Sequence, residues 1–92
     1  MPKPLFSLGR VVATPGALRA FEQAKPTPFA LLSRHVTGDW GELDAHDQAE
    51  NALALQADLR ILSAYRLEDG TKLWIITEAD RSATTFLLPD EY

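Results

Sequence analysis

A histidine and an acidic residue four positions later are the first candidates for chemistry in this sequence. His35 ends a predicted helix, and Asp39 follows in a turn bounded by Gly38 and Gly41. An imidazole that is oriented by a carboxylate can act as a general base. Spacing alone favours a simpler alternative, in which His35 caps the helix end or bonds a backbone carbonyl.

A second group of polar side chains lies in residues 78–85, after the segment with the strongest strand pattern. Arg81 could clamp a carboxylate or phosphate through its guanidinium, and Asp80 could orient it. Turn chemistry is the open alternative, because Asp and Ser often bond their own backbone in such loops. If this loop meets His35 and Asp39 in space, Arg81 would complete a candidate catalytic set by stabilising an anionic transition state.

Metal and cofactor sites have less support. His46 and Glu50 are spaced to share one face of a helix, but two ligands do not make a site. The sequence has no cysteine, and it has no HExxH, P-loop, EF-hand or GxSxG pattern. We therefore predict no metal and no cofactor.

Charge is distributed unevenly along the chain. Before residue 35 there are five Lys or Arg residues and one acidic residue, whereas residues 35–59 hold six acidic residues and no Lys or Arg. A solvated helix face with acids near its start explains this most simply. The functional alternative is an acidic patch that docks onto a basic partner surface. The candidate binding residues are Glu42, Asp44, Asp47, Glu50, Glu78, Asp80 and Arg81.

Composition limits the class of protein. Ninety-two residues, 46% of them hydrophobic, predict a single domain over residues 1–92, with residues 1–9 as a loosely held arm. The net charge of −4 argues against direct binding of nucleic acid, which usually needs a basic face. Because cysteine, a long apolar run and a signal-peptide core are all absent, we expect a cytoplasmic protein that does not enter membranes.

Local signals predict an α+β fold in the order β-α-α-α-β-β-β. Thr-Pro pairs and an aspartate are typical helix starts, and Gly38 is a typical helix end. Asp69-Gly70 between two apolar runs favours a hairpin. We therefore expect a three- to four-stranded antiparallel sheet with helices packed on it. The predicted strands are 10–13, at one edge, and 60–67, 73–77 and 84–88, and the predicted helices begin at 15, 28 and 45.

Apolar spacing predicts which side of each element is buried. Strand 73–77 carries large apolar residues on both faces, so we expect helices or a second subunit to cover both. Trp40, Tyr65 and Trp74 could form a stacking platform, but their spacing favours packing. The residues predicted to face the core are Ala17, Leu18, Phe21 and Ala24 in the first helix, Phe29, Leu32 and Val36 in the second, and Ala45, Ala49, Ala52 and Leu53 in the third.

Three segments carry a resemblance: RHVTGDWGELDAHDQAEN (34–51), RILSAY (60–65) and WIITEADRSATTFLLPDEY (74–92), with the motifs HxxGDWG and ITEADRSxTT. They resemble a family of short bacterial proteins of unknown function that are carried on plasmids, integrated elements and phage-like regions. The resemblance covers about residues 10–92 and implies no established activity. It does imply that polar residues of the shared pattern, such as His35, Asp39 and Arg81, have roles beyond filling the core.

Three functional hypotheses follow. The first is a non-enzymatic interaction protein of a mobile element, for example an inhibitor of a host restriction or CRISPR nuclease that docks through its acidic surface. The second is a small hydrolase or nuclease-like toxin that uses His35, Asp39 and Arg81. The third is a structural or regulatory homodimer, with strand 73–77 and the apolar tail 86–92 as its interface.

Overall fold

The computed structural model describes residues 3–92. The strands are β1 (Arg10–Ala13), β2 (Ile61–Arg66), β3 (Lys72–Thr77) and β4 (Ala83–Leu87). The helices are α1 (Pro15–Gln23), α2 (Pro28–Val36) and α3 (Ala45–Ala57), and a 3-10 turn, Pro89–Glu91, follows β4. The α+β class and the order β-α-α-α-β-β-β are therefore confirmed.

The four strands form one sheet in the order β1-β4-β3-β2. The predicted antiparallel meander is present, since β2 pairs with β3 and β3 pairs with β4. The first strand joins one edge, as expected, but it runs parallel to β4, so the sheet is mixed rather than antiparallel throughout. A parallel pair needs a long connection between its strands, and here the helices and two strands of the meander supply it.

Side-chain caps begin each helix where the sequence predicts. Thr14 and Thr27 precede a proline at the start of α1 and α2, and Asp44 precedes α3. Each cap accepts a hydrogen bond from a backbone N–H that has no partner within the helix. The donors are Ala17 N to Thr14 (3.1 Å), Ala30 N to Thr27 (3.2 Å) and Asp47 N to Asp44 (2.8 Å).

The prediction of the buried helix faces is confirmed only in part: Ala17 is buried, and Phe21, Ala24 and Leu32 pack against the core. Leu18, Phe29 and Leu53, all expected in the core, are 53%, 78% and 53% exposed, and the alanines at 45, 49 and 52 are exposed as well. A pattern of apolar residues does not detect a polar side chain that is buried with its hydrogen bonds satisfied. The residues that the helices do bury are Gly16, Ala17 and Ala20 in α1, Leu31 and His35 in α2, and Asn51 and Ala54 in α3.

One face of the sheet is covered by helices. On this covered face Leu73, Ile75 and Phe86 pack with Ala17 of α1 and Leu31 of α2. A smaller cluster beside it joins α3 to the start of β2. The buried side chains of α1 and α2 thus share their core with alternate residues of the strands.

The other face, the helix-free face, carries the side chains of Leu62, Ala64, Trp74, Ile76 and Leu87. None of these residues belongs to the two core clusters that the helices build. The C-terminal turn contacts β3, and the ring of Tyr92 packs against Trp74 with 6.0 Å between the centroids. In the described residues, helices therefore cover one face of the sheet, and the C-terminal residues cover part of the other.

Residues 3–9 contact the rest of the fold, in contrast to the loosely held arm that we expected; residues 1 and 2 lie outside the described residues. The ring of Phe6 packs on His35 and on Trp40, with centroid separations of 5.2 and 6.2 Å. Aromatic contacts of this kind bury a large apolar area. The segment therefore closes one end of the core.

The outer edge of β2 is covered by other parts of the chain. The amide of Asn51 donates to Leu62 O (2.6 Å), and its oxygen accepts from Leu62 N (3.1 Å). The chain at Gly41 pairs with Ala64 in the same strand. Gly41 has a φ of +76°, and a Cβ there would overlap Ala64 O, so this close approach requires glycine. Covered edges do not pair with other chains.

We predict that Asn51→Ala lowers the free energy of unfolding by about 2 kcal/mol, because it leaves a donor and an acceptor of β2 without partners. Asn51→Asp should also destabilise the protein, since a carboxylate cannot donate to Leu62 O. Urea unfolding followed by circular dichroism measures both changes. Gln56→Ala, at an exposed position of the same helix, is the matched control and should change stability by less than about 0.5 kcal/mol. Wild-type stability of Asn51→Ala would contradict the assigned role.

Candidate functional site

His35 lies within a chain of hydrogen bonds that crosses the covered face of the sheet. Its side chain is fully buried, and so are those of Ser63, Thr77 and Thr84. Its Nδ1 contacts Ser63 Oγ, and its Nε2 lies 2.9 Å from Thr77 Oγ1. Thr77 Oγ1 is 2.8 Å from Thr84 Oγ1, which donates to Leu8 O (2.7 Å). The chain thus joins α2, three strands and the N-terminal segment.

The position of each proton in this chain follows from counting donors. Thr84 has one hydroxyl hydrogen and uses it on Leu8 O, so Thr77 must donate to Thr84. Thr77 has then used its only hydrogen, so His35 Nε2 must carry a proton and donate to Thr77. In a neutral imidazole Nδ1 is then an acceptor, and Ser63 donates to it. Every group in the chain is therefore satisfied by a neutral histidine.

Burial keeps this imidazole neutral and away from any substrate. Loss of solvation lowers the pKa of His35 to about 3. Both ring nitrogens are engaged, and the side chain is 0% exposed. A general base must reach its substrate directly or through one water, and this position does not allow that. The partners of His35 are hydroxyls of the sheet, not the backbone carbonyl of the simpler alternative.

Asp39 is held by its neighbours at the surface. Arg34 donates to its carboxylate from Nε (2.6 Å) and Nη2 (3.1 Å), and this hydrogen bonding lowers the pKa of Asp39. Gly41 N donates to the same carboxylate (3.3 Å), and the Tyr65 hydroxyl donates to Asp39 O (2.6 Å). The expected pairing of His35 with Asp39 is therefore not formed.

Arg81 closes the C-terminal end of α3. A cation at this end of a helix bonds the last carbonyls and interacts favourably with the helix dipole. A guanidinium engaged in this way is not free to clamp an external anion. Its acceptors are Ala54 O (3.0 Å) for Nη2, and Leu59 O (2.7 Å), Glu78 O (3.0 Å) and Ala79 O (3.1 Å) for Nη1.

The 35–41 and 78–85 stretches meet at the ring of Phe6. The ring centroid lies 5.2 Å from that of His35 and 5.7 Å from Arg81 Cζ. The two stretches are thus neighbours, as the catalytic hypothesis requires. They meet through an aromatic side chain, with the imidazole sealed and the guanidinium bonded to the backbone.

Turn chemistry accounts for the rest of the 78–85 loop. The carboxylate of Asp80 accepts from Ser82 N (2.9 Å), and hydrogen bonding by Ser82 lowers the pKa of Asp80. The backbone of Glu78 closes the turn, because its N–H donates to Ala83 O and its carbonyl accepts from Arg81 N. The side chains of Glu78 and Asp80 are exposed.

The acidic side chains around the start of α3 are exposed or half-buried. Glu42 pairs with Arg66 at 3.3 Å, and Glu50 lies 3.6 Å from His46 Nε2. The carboxylate of Asp47 has no hydrogen-bond or ion-pair partner within residues 3–92. Asp47 therefore presents an unpaired carboxylate on the side of α3 that lies nearest the sheet.

A pocket of about 340 Å³ lies on the helix-free face, beside the start of α3. Sequence reasoning singled out Asp47 and Glu42 as acidic and Trp74 as packing, but it did not place them together. Alternation along a strand predicts only that Trp74 points to the opposite face from the residues next to it in sequence. The docking of α3 decides which side chains of that helix lie beside Trp74. The walls include Leu43, Leu62, Ala64, Trp74 and Pro89, and the charged residues are Glu42, Asp47 and Lys72.

Within residues 3–92, no group of three or more His, Asp or Glu side chains is placed to hold a metal ion. The described part of the chain contains no helix of the length and apolar character that a membrane span requires.

Comparison with protein-family models, with curated proteins and with solved structures finds no match to this chain.

The buried imidazole should make stability depend on pH. The unfolded chain binds a proton at His35 below about pH 6.5, whereas the folded chain does so only below about pH 3. Between these values the unfolded state binds more protons, so the free energy of unfolding decreases as the pH falls, by up to about 1.4 kcal/mol per pH unit. We predict this decrease between about pH 6.5 and 4.5, before most carboxylates titrate, in urea unfolding curves.

Two variants test the origin of this slope. His46→Gln, on the exposed side of α3, should keep the wild-type dependence. His35→Gln should be less stable at neutral pH and should lose the slope. If that variant does not fold, the ring-proton shifts of His35 in the folded wild type report its protonation directly. A folded protein with protonated His35 at pH 5 would disprove the neutral network.

Proposed function

We propose that this protein is a non-enzymatic interaction protein of a mobile element, and that it binds a basic surface of a host restriction or CRISPR nuclease. The observation that carries the proposal is the run of six acidic residues, without Lys or Arg, over residues 35–59. Glu42, Asp47 and Glu50 in this run are accessible to solvent. Complementary charge accelerates association and orients the partners. The mobile-element context comes from the motif resemblance.

The state of the catalytic candidates supports a non-enzymatic role. His35 is sealed in the core, Asp39 is bound by Arg34, and Arg81 is bound to backbone carbonyls. A hydrolase or nuclease-like toxin would need these groups free to meet a substrate. We therefore place the catalytic hypothesis below the interaction hypothesis.

Charge reversal at α3 tests the proposal. The protein is expressed in a panel of bacterial strains that each carry one restriction system or one CRISPR complex, and the survival of an incoming target plasmid is measured. We expect protection in at least one strain. Asp47→Lys combined with Glu50→Lys should reduce protection about tenfold or more, because like charges facing each other cost several kcal/mol at an interface.

The matched control makes the same change of net charge elsewhere. Glu22→Lys combined with Glu68→Lys alters two exposed residues outside the acidic run and should keep full protection. Circular dichroism establishes that both double variants are folded. An equal loss of plasmid protection in both double variants would mean that net charge, and not the position of the acidic residues, causes the effect. If the wild type protects in no strain of the panel, the proposed function is rejected.

A homodimer is the second candidate, and an exposed strand edge favours it. Arg10 N donates to Ser82 O, just before β4, and Thr14 N donates to Phe86 O in β4. The N–H groups of the alternate residues Val11 and Ala13 therefore point away from the sheet. Val11 and Val12 are 44% and 40% exposed. An exposed edge can pair with a strand of a second copy. This edge is more accessible than the surfaces that the sequence suggested, because the apolar side chains of strand 73–77 and of the tail are largely buried: Leu73, Ile75, Ile76, Phe86 and Leu87.

Sedimentation equilibrium over a range of concentrations tests this candidate. Val11→Pro removes an outward N–H without removing a hydrogen bond to β4, so it should weaken a dimer built on this edge and leave the monomer folded. Leu18→Lys, at an exposed position of α1, is the control and should leave association unchanged. A wild type that is monomeric at every concentration would exclude the homodimer.

A further inference from the structure

The pocket on the helix-free face lies where the acidic run meets a half-buried aromatic side chain of the sheet. Glu42 and Asp47 belong to the run, and Trp74 lines the same pocket from the sheet. We infer that this pocket binds an arginine or lysine side chain of a basic partner protein, with the cation against Trp74 and its charge opposite Asp47. The assignment of the side chain to a protein partner rests on the proposed function.

The two carboxylates of the pocket differ in whether the chain itself already pairs them. The carboxylate of Glu42 lies 3.3 Å from the guanidinium of Arg66, so this ion pair weakens the attraction of Glu42 for a ligand cation. The backbone N–H of Asp47 donates to the side chain of Asp44, the cap of α3. Within residues 3–92 the carboxylate of Asp47 has no hydrogen-bond or ion-pair partner. An accessible carboxylate next to an apolar wall attracts a cation more strongly than one surrounded by water, because the local dielectric constant is lower.

Trp74 differs from other aromatic residues in its contacts with cations. Within residues 3–92, an arginine lies over each of three aromatic rings: Tyr65, Tyr92 and Phe6. No such contact is present for Trp74 within residues 3–92, although tryptophan is the best partner for a cation. Tyr92 packs on Trp74 at an interplanar angle of 66°, which is an edge contact. The indole of Trp74 is half-buried and lines the pocket. Because Tyr92 makes only an edge contact with it, the indole is available to a cation.

The volume of the pocket and the charge of Lys72 narrow the class of ligand further. A volume of about 340 Å³ is at the lower end of the range for ligand pockets and suits one long side chain. Lys72 also lines the pocket, and among the described residues there it is the one with a positive charge, which would favour an anion. Its neutralisation should therefore strengthen the binding of a cation and weaken the binding of an anion. Lys72 makes the sign of the ligand charge testable.

The test is a titration of the ¹⁵N-labelled protein with short blocked peptides, Ala-Arg-Ala and Ala-Lys-Ala, followed by NMR. Ala-citrulline-Ala, which has nearly the shape of the arginine peptide without its charge, and Ala-Glu-Ala are the control ligands. We expect the cationic peptides to shift the Trp74 indole signal with a Kd of about 1 mM, a typical value for a single weak contact. The citrulline peptide should bind several times more weakly.

Four variants assign the contacts. Asp47→Asn should weaken the arginine peptide about threefold, the size expected for an accessible ion pair, and Trp74→Leu should weaken it about fivefold. Lys72→Gln should strengthen it. Glu22→Gln, exposed on α1 and outside the pocket, should change nothing. Unchanged affinity of Asp47→Asn in a folded protein would remove Asp47 from the site.

Other outcomes would overturn the inference. Equal binding of the citrulline and arginine peptides would mean an apolar pocket, and preferential binding of Ala-Glu-Ala that disappears in Lys72→Gln would mean an anion site. If the NMR signal of the Trp74 indole shifts with protein concentration in the absence of peptide, the pocket binds a second copy of this chain. The plasmid-protection assay is separate: peptide binding without protection rejects the proposed function alone, and protection without peptide binding rejects the pocket alone.

Discussion

The neutral imidazole of His35 connects parts of the chain that are far apart in sequence. Four buried polar side chains have left water for the core, which is unfavourable unless each finds a partner. Their hydrogen bonds can only run one way, from Ser63 through His35, Thr77 and Thr84 to Leu8 O. A slip of one residue in β3 or β4 would move a threonine to the other face and break the chain. The strand register, the position of α2 and the N-terminal segment therefore depend on one another.

This constraint gives a structural reason for the motifs on which the resemblance depends. In HxxGDWG, His35 enters the core, Asp39 binds Arg34, and Gly41 allows the chain to approach β2. In ITEADRSxTT, two threonines continue the hydrogen-bond chain and Arg81 closes α3. Residue types typical of catalysis are thus used here for folding. Their presence in a motif does not by itself indicate an active site.

The pocket beside the start of α3 lies on the opposite side of the sheet from these engaged groups. The helices pack on one face, while α3 extends past the edge of β2 and brings Asp47 to the helix-free face. The protein therefore separates a neutral, fully bonded interior from an acidic surface with an aromatic wall. In the function that we propose, this acidic surface meets the basic partner.

The sequence by itself determined what depends on neighbouring residues. Caps at Thr14, Thr27 and Asp44, the Asp69-Gly70 turn and the element order are local, so their signals are complete within a few positions. The tertiary structure alone decided which polar helix residues are buried, because His35 and Asn51 enter the core only when hydroxyls or backbone groups of the sheet meet them. It also decided that β1 is parallel to β4, since the long connection permits either direction. The pocket has the same origin: Asp47 and Trp74 are 27 positions apart, and only the docking of α3 beside β2 places them together.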